Sequence, residues 1–314
     1  MIRCLAAAAL WGALVASTPA HAVDRLTVLL DWFVNPDHAP LIVAREAGIF
    51  ARHDLEVELV APADPNLPPR LVAAGQADIA VSYQPNLYLQ TAEGLPLRRI
   101  GTLVDTPLNC LAVLDDGPVK SLADLKGRKI GYSIAGFEEA LLGEMLEGAG
   151  LTLEDVELVN VNFALTTSLM SRQVDAVIGA FRNFEMTQIR LAGGAGRAFF
   201  PEENGVPTYD ELVYVARVDA AGDPRLPRFL AAVEEATIFL INRPDDAWAM
   251  FIKAHPDLDD ELNRTAWRDT LPRFAKRPAL LDEARYDAFG AFMSRRGLVK
   301  SAPAVGDIAM EIAP

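Results

Sequence analysis

The eight residues 31–38 concentrate aromatic and polar groups in one short segment. Their sequence, Asp-Trp-Phe-Val-Asn-Pro-Asp-His, contains a tryptophan, an amide, two carboxylates and an imidazole. The segment follows the apolar run 26–30, which is typical of a buried strand. Because loops after strands often carry binding residues, we expect Trp32, Asn35 and His38 to contact a ligand. For Phe33 we expect a buried position in a turn.

A second polar segment, Phe-Arg-Asn-Phe-Glu at residues 181–185, follows the strand-like run 176–180. Here Glu185 is either a ligand contact or a solvated residue at the start of a helix, where a carboxylate complements the helix dipole. Tyr83 ends another strand-like run and is either a ligand contact or a half-buried sheet residue. Glu138 begins a helix, so we expect its carboxylate mainly to complement the dipole there.

The sequence lacks the signatures of catalysis. After residue 22 the histidines are His38, His53 and His255, and their spacing does not match a metal site. There is neither a G-x-S-x-G elbow nor a phosphate loop ending in Gly-Lys-Ser/Thr. Cys110 lies in an apolar run and is expected to be a small buried hydrophobe. We therefore predict a binding protein with no catalytic residue, no metal and no cofactor.

The elements that position these segments form one α/β unit that occurs twice. Val57-Glu-Leu-Val60 leads to Asp78, and Val156-Glu-Leu-Val159 leads to Asp175 at nearly the same distance along the chain. Chance similarity between two β-α-β units is the alternative explanation. Two such units predict an α/β protein with two lobes, and ligands of open α/β sheets bind at the carboxyl ends of the strands. The polar segments should therefore face a cleft between the lobes.

No Gly/Ser-rich linker separates the predicted lobes, and the chain beyond residue 220 has helical periodicity. We expect the chain to cross between lobes near residues 109–113 and 209–214. The predicted division is residues 23–110 plus 214–314 for the first lobe, which takes the C-terminal helices, and residues 111–213 for the second.

The first 22 residues have the pattern of a secretory signal peptide. Arg3 precedes the apolar residues 4–17, and Ala20-His21-Ala22 supplies small residues at the cleavage site. Because Cys4 lies at the beginning of the apolar run and not after it, it is not the acylated cysteine of a lipoprotein. We predict cleavage after Ala22 and a soluble periplasmic protein; the alternative is a buried N-terminal helix.

Composition narrows the class of protein further. The 314 residues are 51% hydrophobic, which excludes a disordered chain, and 29 Lys+Arg against 43 Asp+Glu give a net charge of −14. Nucleic-acid binding and attachment to anionic lipid both require a basic surface. We expect neither partner.

With these segments in view, the sequence resembles periplasmic substrate-binding proteins of ABC importers. The matching stretches are residues 31–38 with the pattern Asp-Trp-x-x-Asn-Pro-x-His, residues 71–78 (LVAAGQAD), residues 175–180 (DAVIGA) and Glu185. The branch it resembles binds thiamine-precursor pyrimidines and shares a superfamily with yeast hydroxymethylpyrimidine phosphate synthase. The resemblance covers essentially the whole chain after residue 22. It implies the two-lobed periplasmic-binding-protein fold of type II, with a ligand cleft between the lobes.

The resemblance also implies a ligand such as formylaminopyrimidine or hydroxymethylpyrimidine. A flat aminopyrimidine needs an aromatic face, an acceptor for its amino group and donors for its ring nitrogens. For stacking we expect Trp32 and Tyr83, and for the amino group Glu185. The expected donors are Asn35, His38, Asn109 and Asn183. Asp64 and Ser133 are weaker candidates for contact with the ligand. The implied partners are the permease and ATPase subunits of an importer, with the binding protein itself a monomer.

Two alternatives follow from the same superfamily. The fungal synthase carries a lysine and, four residues later, a histidine that it uses with pyridoxal phosphate, together with a cysteine-rich motif. Here Ser82 and Asn86 hold those two positions, and the cysteine-rich motif is missing, so no Schiff base can form. The second alternative keeps the fold but changes the solute to taurine, nitrate or a flavin. An anion would favour an arginine-lined cleft, and Arg182 is the basic residue that stands out in the candidate loops.

Overall fold

The computed structural model describes residues 23–312. The predicted signal peptide, with its cleavage after Ala22, lies outside the described residues. Within residues 23–312, every helix is too short or too polar to cross a bilayer.

Ten strands are present in the described part of the chain. They are β1 (Asp24–Leu29), β2 (Leu55–Val60), β3 (Ile79–Ser82), β4 (Leu97–Val104), β5 (Asn109–Leu114), β6 (Lys129–Tyr132), β7 (Glu157–Asn160), β8 (Ala176–Phe181), β9 (Gly196–Phe199) and β10 (Leu212–Arg217). They form two five-stranded sheets, with orders β2-β1-β3-β10-β4 and β7-β6-β8-β5-β9. Both sheets are mixed, because β10 and β5 run antiparallel to their neighbours.

Twelve α-helices lie between or after these strands in residues 23–312. They are α1 (Ala39–Glu46), α2 (Ile49–Arg52), α3 (Pro68–Ala73), α4 (Gln84–Ala92), α5 (Phe137–Gly148), α6 (Leu165–Met170), α7 (Glu185–Leu191), α8 (Arg225–Asn242), α9 (Pro244–Ala254), α10 (Glu261–Thr270), α11 (Glu283–Arg295) and α12 (Val305–Ile308). Short 3-10 segments join several of them, including Pro36–His38 directly before α1.

The repeated unit predicted from sequence is present in both sheets. Three consecutive strands of each sheet have the same arrangement, β2-β1-β3 and β7-β6-β8, and all of their pairings are parallel. The two aspartates of the repeat make the same contact. Asp78 accepts a hydrogen bond from Thr27 N–H at 2.8 Å, and Asp175 accepts one from Lys129 N–H at 3.1 Å. Each carboxylate thus ties the turn before the third strand to the first strand of its unit.

The chain passes from the first sheet to the second between Val104 and Asn109, and it returns between Phe199 and Leu212. The predicted lobe boundaries, after residues 110 and 213, differ from this by two residues each. Asn109 and Cys110 pair with Phe181 and Ala180 in the second sheet, and β10 belongs to the first sheet from its first residue. Each boundary strand thus lies wholly within one sheet.

The C-terminal helices cover the first sheet. Helix α8 buries the face formed by Phe229, Leu230, Val233, Ala236 and Leu240. This face belongs to one apolar cluster that also contains Leu26 and Val28 of β1 and the aromatic side chains of α9 and α11. The second sheet has separate clusters on its two faces. This packing leaves the carboxyl ends of β1, β3, β6 and β8 to position the site.

Candidate functional site

A narrow cavity lies between the loops that follow β1 and β3 in the first lobe and those that follow β6 and β8 in the second. Its lining residues are Asp31, Trp32, Asn35, Asp37, Tyr83, Ile134, Glu138, Leu165, Gly179, Phe181, Phe184 and Glu185. Its volume is about 20 Å³, which is room for only one or two water molecules. The two lobes therefore approach each other closely in this conformation.

Asp31 is the centre of the first-lobe wall. Its Oδ1 is 2.9 Å from His38 Nε2, and its Oδ2 accepts a hydrogen bond from the Tyr83 hydroxyl at 2.8 Å. His38 Nδ1 lies 3.3 Å from Asn35 N–H, from which it accepts a hydrogen bond. This network assigns the imidazole proton to Nε2, so His38 donates to Asp31 and holds the carboxylate in place.

Asn35 shapes the loop that carries the next carboxylate. Its Oδ1 accepts from Asp37 N–H at 2.8 Å, which caps the 3-10 segment Pro36–His38. Its Nδ2 donates to Phe33 C=O at 3.2 Å. Because both ends of the amide are occupied by the backbone, Asn35 lines the cavity mainly as a structural residue.

Asp37 links the two lobes. Its Oδ1 accepts from Asn183 Nδ2 at 2.6 Å and from the Thr270 hydroxyl at 2.8 Å. Asn183 follows β8 in the second lobe, whereas Thr270 ends α10. Burial raises the pKa of Asp37 to about 6, and the hydrogen bond from Thr270 limits the rise. At neutral pH the carboxylate is therefore mostly ionised and accepts hydrogen bonds.

Two glutamates form the second-lobe wall. Glu185 is 6% exposed and accepts from Phe181 N–H at 2.7 Å, so the alternative of a solvated helix start is wrong. Burial raises its pKa to about 8. Glu138 is 2% exposed, accepts from Ser133 N–H at 2.7 Å and has a pKa well above the usual value, also because of burial. Glu138 therefore lines the cavity, in contrast to the expectation that it mainly complements the α5 dipole.

Gly179 permits the close approach of these groups. Its φ is +95°, a conformation that side-chain-bearing residues rarely adopt, and a Cβ at this position would collide with the Glu138 carboxylate. Its N–H donates to Asn109 Oδ1 at 3.2 Å. Asn109 is completely buried and supports the cavity wall from behind.

Aromatic rings surround the cavity and its mouth. Tyr83 stacks on Phe137 of α5 at a centroid distance of 5.0 Å, and Trp32 contacts Phe163 edge-on at 4.5 Å. Phe33 lies 6.1 Å from Phe184 across the mouth. The expectation that Phe33 is buried is wrong, since 39% of it is exposed. Phe33 also lines a wider outer pocket, which shares Glu185 with the cavity.

The structure brings together four of the seven site residues predicted from sequence: Trp32, Asn35, Tyr83 and Glu185 all line the cavity. The other three, His38, Asn109 and Asn183, lie behind the wall and hold lining residues in place. Asp31, Asp37 and Glu138 were not predicted from sequence as ligand contacts. The signal for these acids was their position in the segments that follow strands β1 and β6.

The cavity lining is acidic. It contains four carboxyl groups and neither lysine nor arginine. Arg182, the basic residue expected for an anion site, instead binds Glu202 at 2.6 Å and the carbonyl oxygens of Leu108 and Asn109. Within residues 23–312, no cluster of His, Cys, Asp and Glu is arranged to hold a metal ion. The chemistry of the cavity suits a flat molecule that presents hydrogen-bond donors.

Two lobes with similar sheets and a cavity between them define the periplasmic-binding-protein fold, as predicted. The structure is similar to that of the alkanesulfonate-binding protein SsuA from Xanthomonas axonopodis pv. citri. The TM-score is 0.71 at 16% identity, covering 91% of this chain and 97% of that chain. At this identity the likeness concerns the fold alone.

The chain belongs to the NMT1/THI5-like family, which matches residues 35–247. A thiamine biosynthesis protein of Haemophilus influenzae is 51% identical over 300 residues, covering 95% of this chain and 96% of that protein. The formylaminopyrimidine-binding protein of Halalkalibacterium halodurans is 36% identical over 230 residues, covering 72% and 69%. A 4-amino-5-hydroxymethyl-2-methylpyrimidine phosphate synthase of Legionella pneumophila is 26% identical over 259 residues, covering 81% of each. The predicted resemblance is thereby confirmed.

Proposed function

We propose that the protein is the solute-binding component of an ABC importer and binds a thiamine-precursor aminopyrimidine between its lobes. The observation that carries the proposal is the acidic, aromatic cavity without lysine or arginine. The proposed ligands are formylaminopyrimidine and hydroxymethylpyrimidine, because one relative is named for binding the former and other relatives are named as synthases of hydroxymethylpyrimidine phosphate.

Glu185 suits the amino edge of such a ring. With a pKa of about 8, its carboxyl group is mostly protonated at pH 7 and offers a donor and an acceptor side by side. A 4-aminopyrimidine presents the complement, a ring nitrogen that accepts and an amino group that donates. Two parallel hydrogen bonds in a buried site fix the orientation of the ring. Trp32 and Tyr83 supply aromatic surface for its faces.

The negative charge of the cavity disfavours anionic solutes as ligands. A sulfonate, nitrate or phosphate group placed beside Asp31 and Asp37 would meet negative charge with no cation to offset it. The proposed ligand is therefore an uncharged or protonated pyrimidine and not its phosphate ester.

The residues at the positions of the synthase lysine and histidine do not support the alternative of an enzyme. Ser82, the residue that takes the place of the synthase lysine in the resemblance, is a buried residue at the end of β3. Asn86 lies in the first turn of α4. A serine and an amide cannot form a Schiff base with an aldehyde, so we propose binding without catalysis.

Delivery to a membrane permease requires export. The signal peptide predicted at residues 1–22 supports a periplasmic protein, and N-terminal sequencing of the exported protein should begin at Val23. An intact Met1 or a lipid-modified cysteine would contradict this part of the proposal.

Native mass spectrometry of the purified protein tests the proposed ligand class without assuming its identity. We expect a fraction of molecules to retain a noncovalent adduct whose mass, after release, matches an unphosphorylated aminopyrimidine. Addition of formylaminopyrimidine should load the remaining fraction, whereas taurine should not. An adduct carrying a sulfonate or phosphate group would contradict the proposal.

A further inference from the structure

Asp37 has one oxygen engaged and one oxygen free. The Asn183 amide and the Thr270 hydroxyl both donate to Oδ1. Oδ2 is buried and has no hydrogen-bond partner among the described residues. Because an unsatisfied buried acceptor is costly, such an oxygen in a binding cavity indicates a missing donor.

The position of Asp37 restricts what that donor can be. Asp37 is 2% exposed and lines the cavity together with Glu185. Because both carboxyl groups line the same cavity, one ligand of the size of a substituted pyrimidine can contact both of them. If Glu185 pairs with the amino edge of the ring, the group that reaches Asp37 must lie elsewhere on the ligand.

We propose that Asp37 is a specificity-determining residue that binds a second hydrogen-bond donor of the ligand, on the substituent of the pyrimidine ring, through Oδ2. The donor is a formamide N–H in formylaminopyrimidine and a hydroxyl in hydroxymethylpyrimidine. This inference rests on the proposed function and names the part of the ligand that the cavity selects.

The hydrogen bonds to Oδ1 determine the orientation that an Asp37→Asn side chain must take. Both partners of Oδ1 point hydrogens at it, so an Asp37→Asn side chain must place its own oxygen there to keep them. Its NH₂ group then occupies the Oδ2 position and faces the ligand with a donor in place of an acceptor. The variant should lose recognition of the substituent while keeping the link between the lobes.

Calorimetric titration at pH 7.5 with two matched probes tests this role. Hydroxymethylpyrimidine carries a hydroxyl on the substituent, and 4-amino-2,5-dimethylpyrimidine is the same ring with a methyl group instead. We expect the wild type to prefer the hydroxyl compound by about tenfold or more, as for a hydrogen bond to a charged group. In Asp37→Asn the preference should fall to about twofold or less.

Thr270→Val is the control, because it removes one contact of Oδ1 but leaves the free oxygen unchanged. This variant should bind both probes more weakly by the same factor, and it should keep the wild-type preference for the hydroxyl compound. An Asp37→Asn variant that is folded and retains the full preference would overturn the inference. If the wild type binds neither pyrimidine, the proposed function itself fails, and the two failures are thereby distinguished.

Discussion

Tyr83, which follows β3, donates its hydroxyl hydrogen to Oδ2 of Asp31 in the loop that follows β1, at 2.8 Å. The same aspartate contacts His38 through its other oxygen. The tyrosine thus has two functions in the cavity wall, since its ring stacks on Phe137 and its hydroxyl fixes the carboxylate. A binding site that must hold a small rigid ring benefits from such a fixed wall.

Replacement of Tyr83 by phenylalanine separates these two functions. The ring surface remains, but Asp31 Oδ2 loses its partner in a buried environment, at a cost of about 1–3 kcal/mol. We expect lower thermal stability and an affinity for formylaminopyrimidine reduced by roughly tenfold. Differential scanning calorimetry and titration measure the two effects, and unchanged values for both would show that the hydrogen bond is unimportant.

Glu185 should make the stability of the ligand-free protein fall as the pH rises. Its pKa is raised from an ordinary value near 4.5 to about 8 by burial. Between these values the unfolded chain has lost the proton that the folded protein retains, so stability is fully present below about pH 4.5. It declines until pH 8 by about 1.4 kcal/mol per pH unit.

Urea denaturation at pH 5 and at pH 8 measures this contribution. The free energy of unfolding of Glu185→Gln should fall less between the two pH values than that of the wild type. Glu154→Gln, which changes an exposed carboxylate of the same lobe, should behave like the wild type. Parallel behaviour of all three proteins would show that Glu185 is not protonated in the folded state.

Gly179 is predicted to tolerate no side chain. In Gly179→Ala the new Cβ meets the Glu138 carboxylate, and the residue must hold φ near +95°. Backbone strain alone costs about 1–3 kcal/mol. The control Gly148→Ala adds a Cβ with no atom within 4 Å at the end of α5. We expect a lower melting temperature for the first variant and no loss for the second; equal stability would mean that Glu138 moves aside freely.

The order of the elements and the location of the site were predictable because they depend on strong local signals. The apolar runs at β1 and β8 and the polar residues at their carboxyl ends are visible in the sequence. The strands β4 and β9 were missed. β4 is almost entirely buried but contains two arginines, and Arg99 is accommodated by contacts with distant backbone carbonyls such as Pro278 C=O at 3.1 Å.

The direction of each polar side chain was less predictable. His38 and Asp31 belong to the same loop, but the imidazole lies behind the carboxylate because the 3-10 segment Pro36–His38 turns it inward. Asn183 likewise points to Asp37 in the other lobe. Contacts between residues far apart in sequence decide such orientations, and local patterns contain no information about them.

Ligand entry should require the lobes to separate. The cavity volume of about 20 Å³ is far smaller than a pyrimidine needs, and the loops of both lobes form its walls. Asn66 in the first lobe also accepts from Ala135 N–H in the second at 3.0 Å. We predict an open ligand-free population that closes on the ligand.

Small-angle scattering tests this closure. The radius of gyration should decrease when saturating formylaminopyrimidine is added, and it should not change with taurine. A radius that is the same with and without the pyrimidine would contradict a cleft that closes.

The central claim is that Glu185 and its cavity bind an aminopyrimidine, and calorimetric titration with formylaminopyrimidine tests it most directly. We predict saturable binding by the wild type with one site per chain, and no binding of taurine. Glu185→Met, which removes both the donor and the acceptor, should bind at least about tenfold more weakly, as expected for the loss of a strong hydrogen bond, while Glu154→Gln should bind like the wild type. Folded Glu185→Met with wild-type affinity, or tighter binding of taurine than of the pyrimidine, would contradict the account.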